Sequence, residues 1–218
     1  MMFTWLPMPH LPTPPREFVD RAIELAHADV PNTAINQLDT KFLKRQVVKD
    51  GKISNSRIQQ GYELGAEWDQ WVRDNLMETF VSTGGRYSAG DNTTIHGAHV
   101  DSRYNNVPVY KLYYLVDRGG EDATTYFFQQ KGYPAEREGH PTNITYCDDY
   151  SQLEILDQVQ FPMNQWVLLN TNILHGVEDV TGSRINLVVI FASNDIEQDL
   201  EKLNARAIEQ ERQHGLQN

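Results

Sequence analysis

The spacing of apolar positions divides the chain near Phe80. Upstream, large apolar residues recur at helical intervals. After Pro14-Pro15, the residues Phe18, Ile23, Leu25 and Ala26 line one face, and proline is tolerated in a first helical turn because its missing N–H has no partner there. Between Tyr62 and Phe80, Leu64, Trp68, Trp71, Val72 and Leu76 fall on one side, which predicts an amphipathic helix whose tryptophans pack into a core. Downstream the period changes. Short runs of Val, Ile, Tyr, Thr and Phe alternate with turn residues, and strands are expected near 93–100, 107–116, 123–129, 153–159, 166–171 and 185–191. Gly84-Gly85, Gly119-Gly120 and Gly182-Ser183 read as turns. Ser193-Asn194-Asp195 then offers helix caps, and a polar helix with a thin stripe of Ile196, Leu200 and Leu203 runs to about residue 213.

Many short strands without intervening helices point to antiparallel sheets closed as a sandwich or barrel, not to alternating β-α units. The fold class expected is mainly β with flanking helices (α+β). A length of 218 residues suits one domain: a helical flank over 1–80, a β core over 81–192 and a C-terminal helix over 193–218. The net charge of −11 opposes binding to phosphate backbones and to anionic membranes. No apolar run approaches the length of a membrane span, and residues 1–16 lack the basic start of a secretory signal. One cysteine, Cys147, excludes an internal disulfide, in keeping with a reducing, cytoplasmic setting. It sits beside Asp148 and Asp149, where nothing favours a thiolate.

The chemistry-bearing residues lie in the β part. His99-Val100-Asp101 places two ligand-type side chains two residues apart, hence on one side of a strand. By itself the triplet is common and reads equally as an ion pair at a strand end. His175, just past the apolar run at 166–169, supplies a third ligand. Two histidines and one carboxylate occupy one face of an octahedral ion and leave three positions open, the arrangement of non-haem Fe(II) sites. A structural zinc site would close all four positions, usually with thiolates that are lacking here. His96 competes with His99 but has Ala98 where a carboxylate partner would stand. Arg184 follows His175 by nine residues at the start of a strand. Its guanidinium can fork onto a carboxylate, although an exposed strand-end arginine commonly makes only a surface ion pair.

This order of His-x-Asp, distant His and later Arg resembles the 2-oxoglutarate/Fe(II)-dependent oxygenase family, in its prolyl-hydroxylase-like branch. The run Lys111-Leu112-Tyr113-Tyr114-Leu115-Val116-Asp117 with Gly119-Gly120-Glu121 is similar to that branch's strand and Gly-Gly turn. The likeness covers about 86–191. Asn186 departs from it where many members carry a small hydroxylated residue, and Asp122-Ala123-Thr124 replaces a more hydrophobic strand start.

The resemblance implies a double-stranded β-helix (jelly-roll, cupin-like) barrel. It implies iron(II) held by the catalytic residues His99, Asp101 and His175, and 2-oxoglutarate as co-substrate on Arg184, with Tyr114 and Tyr87 reaching it. Adjacent residues of a strand face opposite ways, so only one of Tyr113 and Tyr114 faces the site. Lys111 shares Tyr113's face and is an alternative clamp if the register differs by one. The implied reaction takes O2, releases succinate and CO2 and hydroxylates a substrate, with ascorbate as a reductant. A carboxylate at residue 101, where related halogenases have a small non-ligating residue, favours hydroxylation. The substrate implied is an amino-acid residue of prolyl type in a protein or peptide. A free small metabolite is the alternative, and a non-catalytic jelly-roll binding module is the opposing class. Residues 131–150, bearing Gly132, Pro134, Gly139 and Pro141, form a candidate lid. Nothing in the chain sets the oligomeric state.

Overall fold

The computed structural model describes residues 3–28, 46–50, 52–55, 58–89, 97–101, 104–132, 145–147 and 149–215. The candidate lid falls largely outside them, as do His96 and His140.

Period-two burial organises the molecule. In β7 (Val109–Arg118), Leu112 and Tyr114 join one apolar cluster while Leu115 and Tyr113 join another. The strand is therefore covered on both sides. It lies within a six-stranded antiparallel sheet, ordered β1 (Trp5–Met8), β11 (Trp166–Asn170), β7, β13 (Ser183–Ala192), β5 (Ser82–Ala89) and β4 (Ile58–Tyr62). A second sheet has the order β10 (Leu153–Val159), β8 (Thr124–Gln130), β12 (Leu174–Glu178), β6 (Ala98–Val100) and β9 (Thr145–Cys147). From β5 to β8 and again from β10 to β13 the chain passes back and forth between the two sheets, while β8, β9 and β10 all lie in the smaller one. The resulting inner orders, β11-β7-β13-β5 facing β10-β8-β12-β6, are those of a jelly roll. This is the mainly β jelly-roll class expected from sequence; the sheets share no strand among the described residues, so the core is an open sandwich and not a closed barrel. A closed ring would need strands hydrogen-bonded across both seams.

Between the sheets pack Leu115, Phe127, Phe161, Val167, Leu169 and Ile173. The outer side of the larger sheet is covered by α1 (Arg16–His27), α2 (Ala66–Asn75) and α3 (Ile196–Gly215). Phe18, Ala22 and Ala26 of α1 recur at four-residue steps and are buried, as are Trp68 and Val72 of α2. Phe18 meets Trp68 edge-on at 5.2 Å between ring centroids. The three helices expected from sequence are present, the second confined to Ala66–Asn75 because Tyr62 belongs to a strand, and no helix among the described residues is long and apolar enough to cross a membrane.

The first 80 residues are not solely helical. β1 pairs with β11, β4 pairs with β5, and β2 (Gln46–Lys49) and β3 (Lys52–Asn55) form a hairpin. β1 in particular is specified by a distant partner more than by its own periodicity. Gly84-Gly85 is likewise no turn but the middle of β5. A Cβ on Gly85 would overlap the ring of Tyr62, whose hydroxyl donates to the Ala22 carbonyl at 2.7 Å. The two glycines are there for close approach. Gly119-Gly120 does turn, with φ of 83° and 132°, and the Gly119 carbonyl accepts from the amides of Thr181 and Gly182.

Candidate functional site

β6 and β12 are neighbours, and their pairing places His175 directly opposite His99. Cross-strand partners share a face, and that face is the inner one, because Ala98, Val100 and Leu174 pack together on the outside. Asp101 follows at i+2 on the same side, its amide donating to the Thr171 carbonyl at 2.9 Å. One ligand-type atom from each of His99, Asp101 and His175 comes within 4.8 Å of the others. All three side chains are buried, and the imidazoles lie 4.5 Å apart between centroids.

The donor set fits a divalent ion. His99 Nδ1 lies 3.1 Å from the Gly97 carbonyl and His175 Nδ1 lies 2.9 Å from the Ile173 carbonyl. A carbonyl only accepts, so each Nδ1 carries the proton and each Nε2 keeps its lone pair for a ligand. Burial keeps both rings neutral. It lowers His99 to about 3, with the charges of His175 and Lys111 adding to it and Asp101 opposing. His175 is lowered as well, chiefly by burial. For Asp101, burial alone would raise the carboxyl, but Lys111 and the two histidines outweigh it and hold it well below the usual carboxylate range. Lys111 Nζ lies 2.5 Å from Asp101 Oδ2, while Oδ1 faces His99 Nε2 at 3.8 Å.

Arg184 is buried near the start of β13. Ile185, Leu187 and Val189 belong to the helix-facing cluster, so Arg184 and Asn186 turn inward. Gly119 seats the arginine: a Cβ there would stand 2.9 Å from Arg184 Cβ. Arg184 Nη1 donates to the Arg118 carbonyl at 3.2 Å. Burial lowers the guanidinium to about 10, Tyr113 and Asp117 raising it and Arg118 lowering it further.

The tyrosines correct the sequence-based expectation. Tyr114 points away from the triad, against Trp166 at 5.4 Å in the helix-covered cluster. Tyr87 also lies on that outer side, near His27 at 6.2 Å. The residues that share the inner face with the triad are Tyr113 and Lys111, and Tyr113 is close enough for its charge to act on Arg184. Strand parity is the reason: Lys111 and Tyr113 are an even step apart and Tyr114 is an odd one. A lysine inside the otherwise apolar stretch 109–116 is the sequence signal that marks the inner face.

No family model matches the chain, and no curated protein matches it. Solved structures resemble it at a distance. A Pseudomonas putida prolyl-4-hydroxylase is 12% identical with a TM-score of 0.43, over 87% of this chain and 93% of that one. HygX from Streptomyces hygroscopicus, with nickel and 2-oxoglutarate bound, is 13% identical with a TM-score of 0.43, over 88% and 83%. A Trichoplax adhaerens prolyl hydroxylase in complex with a hypoxia inducible factor peptide fragment is 8% identical with a TM-score of 0.41, over 90% and 85%. At these distances the roles of the side chains rest on the geometry of this chain.

Proposed function

We propose that this protein is a 2-oxoglutarate-dependent, iron(II)-dependent oxygenase that hydroxylates its substrate. The observation that carries the reading is the buried convergence of His99, Asp101 and His175 on the inner face of a jelly roll, with Arg184 and Tyr113 on the same face. His99 and His175 would bind the metal through Nε2 and Asp101 through one oxygen, leaving positions open. Arg184 forks onto the distal carboxylate of the co-substrate and Tyr113 donates its hydroxyl to the same group. This gives Tyr113 the role that the sequence motif assigned to Tyr114. Bound there, iron(II) supplies the O2-activating redox chemistry. The chain itself contributes orientation and, through Leu115, Phe127 and Leu169, a dry wall behind the site.

The motif resemblance assigns as substrate an amino-acid residue of prolyl type in a protein or peptide, with a free small metabolite as the alternative. Incubation with Fe(II), ascorbate and 2-oxoglutarate under O2 tests the reading, with succinate expected even without substrate. Metal-loaded protein that forms no succinate and binds no 2-oxoglutarate would be a jelly-roll binding module instead.

A further inference from the structure

A charged fourth residue stands against the triad. Lys111 is buried on β7 with its ammonium 2.5 Å from Asp101 Oδ2, and its charge acts on both histidines. As the site stands, one carboxylate balances one ammonium. A divalent ion on the triad breaks that balance, because Asp101 is then shared between two cations and two positive charges are left over in a buried pocket. Uncompensated buried charge is costly, so the balance has to arrive with the ligand. Arg184 stands further along the same inner face, paired across β13 and β7 with Arg118, seven residues from Lys111, so an elongated dianion lying along that face can meet one cation at each end.

We propose that Lys111 is a second carboxylate anchor, holding the metal-proximal end of a dianionic ligand as Arg184 holds its distal end. This rests on the oxygenase reading above and extends it to a residue that the motif does not include. Lys111 also explains how an apo site of buried polar groups survives: Asp101 and Lys111 satisfy each other until metal and anion enter together. The predicted consequence is coupling, with the anion binding far better to the metal-loaded protein than to the apo protein.

The experiment is calorimetry on the Mn(II)-loaded full chain with two probes. One is 2-oxoglutarate. The other is oxalate, a chelating dianion that lacks the distal carboxylate arm. Lys111→Met is expected to weaken both probes by about tenfold or more, the scale of a charge-assisted hydrogen bond. Arg184→Met is expected to weaken 2-oxoglutarate and spare oxalate, and Lys111→Arg to retain most of both affinities. Lys111→Gln carries the same expectation as Lys111→Met should the latter not fold by circular dichroism. Unchanged oxalate affinity on loss of the lysine overturns the anchor while leaving the oxygenase reading intact. Wild-type protein that takes up neither Mn(II) nor 2-oxoglutarate overturns that reading, and with it this one. Mn(II) uptake gained only on removing Lys111 would make the ammonium a replacement for the ion, overturning both.

Discussion

His99 and His175 are direct cross-strand partners, one on β6 and one on β12. Neither strand needs a long loop to bring them together, so the two rings are set by backbone register and by their carbonyl contacts to Gly97 and Ile173. Such a site is preformed. His175→Ala should therefore abolish Mn(II) binding, measured as loss of the bound-ion signal in electron paramagnetic resonance, while the β-sheet circular dichroism is kept. Retained tight binding would remove His175 from the ligand set.

The buried neutral histidines give the metal-free protein an acid liability. His99 falls from 6.5 to about 3 on folding, through burial first, and His175 moves the same way. Between these limits the unfolded chain binds protons that the folded one refuses, so stability drops as pH falls from 6.5 towards 3. The slope approaches about 1.4 kcal/mol per pH unit for each fully contrasted histidine. Asp101, held low in the fold, adds a further loss below its ordinary value. Urea midpoints of chelator-treated protein should fall steadily from pH 6.5 to 4.5, and a double substitution of His99 and His175 by Gln should flatten that fall.

Adjacent tyrosines should separate cleanly. Tyr113→Phe is expected to weaken 2-oxoglutarate binding several-fold with little change in thermal midpoint. Tyr114→Ala is expected to cost about 3 kcal/mol of stability, as for a buried aromatic, since it abandons Trp166. Tyr114→Phe should leave co-substrate affinity alone. The reverse pattern in calorimetry and melting would put Tyr114 back in the pocket.

Gly85 is a packing residue, so a side chain there should be felt as strain. Gly85→Val forces the Tyr62 ring aside and should destabilise by about 1–3 kcal/mol. Pairing it with Tyr62→Ala should relieve part of that, a non-additivity that a double-mutant cycle reads directly.

The triad was legible because His99 and Asp101 share strand parity and His175 stands just beyond an apolar run. Arg184 was legible at its strand start. The strand over 153–159 matches β10 residue for residue, bounded as it is by clear breaks in pattern. The face of Tyr114 was not legible from the apolar pattern, because β7 is buried on both sides over most of its length and only Lys111 marks the inner one. With apolar residues at even and odd positions alike, the pattern cannot say which side meets the helices. Gly84-Gly85 misled for a related reason: glycine marks a turn or a close approach, and only Tyr62, brought up by β4, distinguishes them. β1 was illegible because its pairing partner lies far along the chain.

That last feature has a temporal side. Trp5 of β1 is bonded in register to Leu169, and the side-chain amide of Asn170 donates to the Phe3 carbonyl at 3.0 Å. Among the described residues, β1 is thus an edge strand that docks onto a strand made more than 160 residues later. At about 5–20 residues per second of synthesis, the nascent β1 segment waits on the order of ten seconds or more before its neighbour in the sheet exists. Closing a loop over such a separation carries an entropic cost, and the ribosome sets the earliest moment at which β1 can take its place.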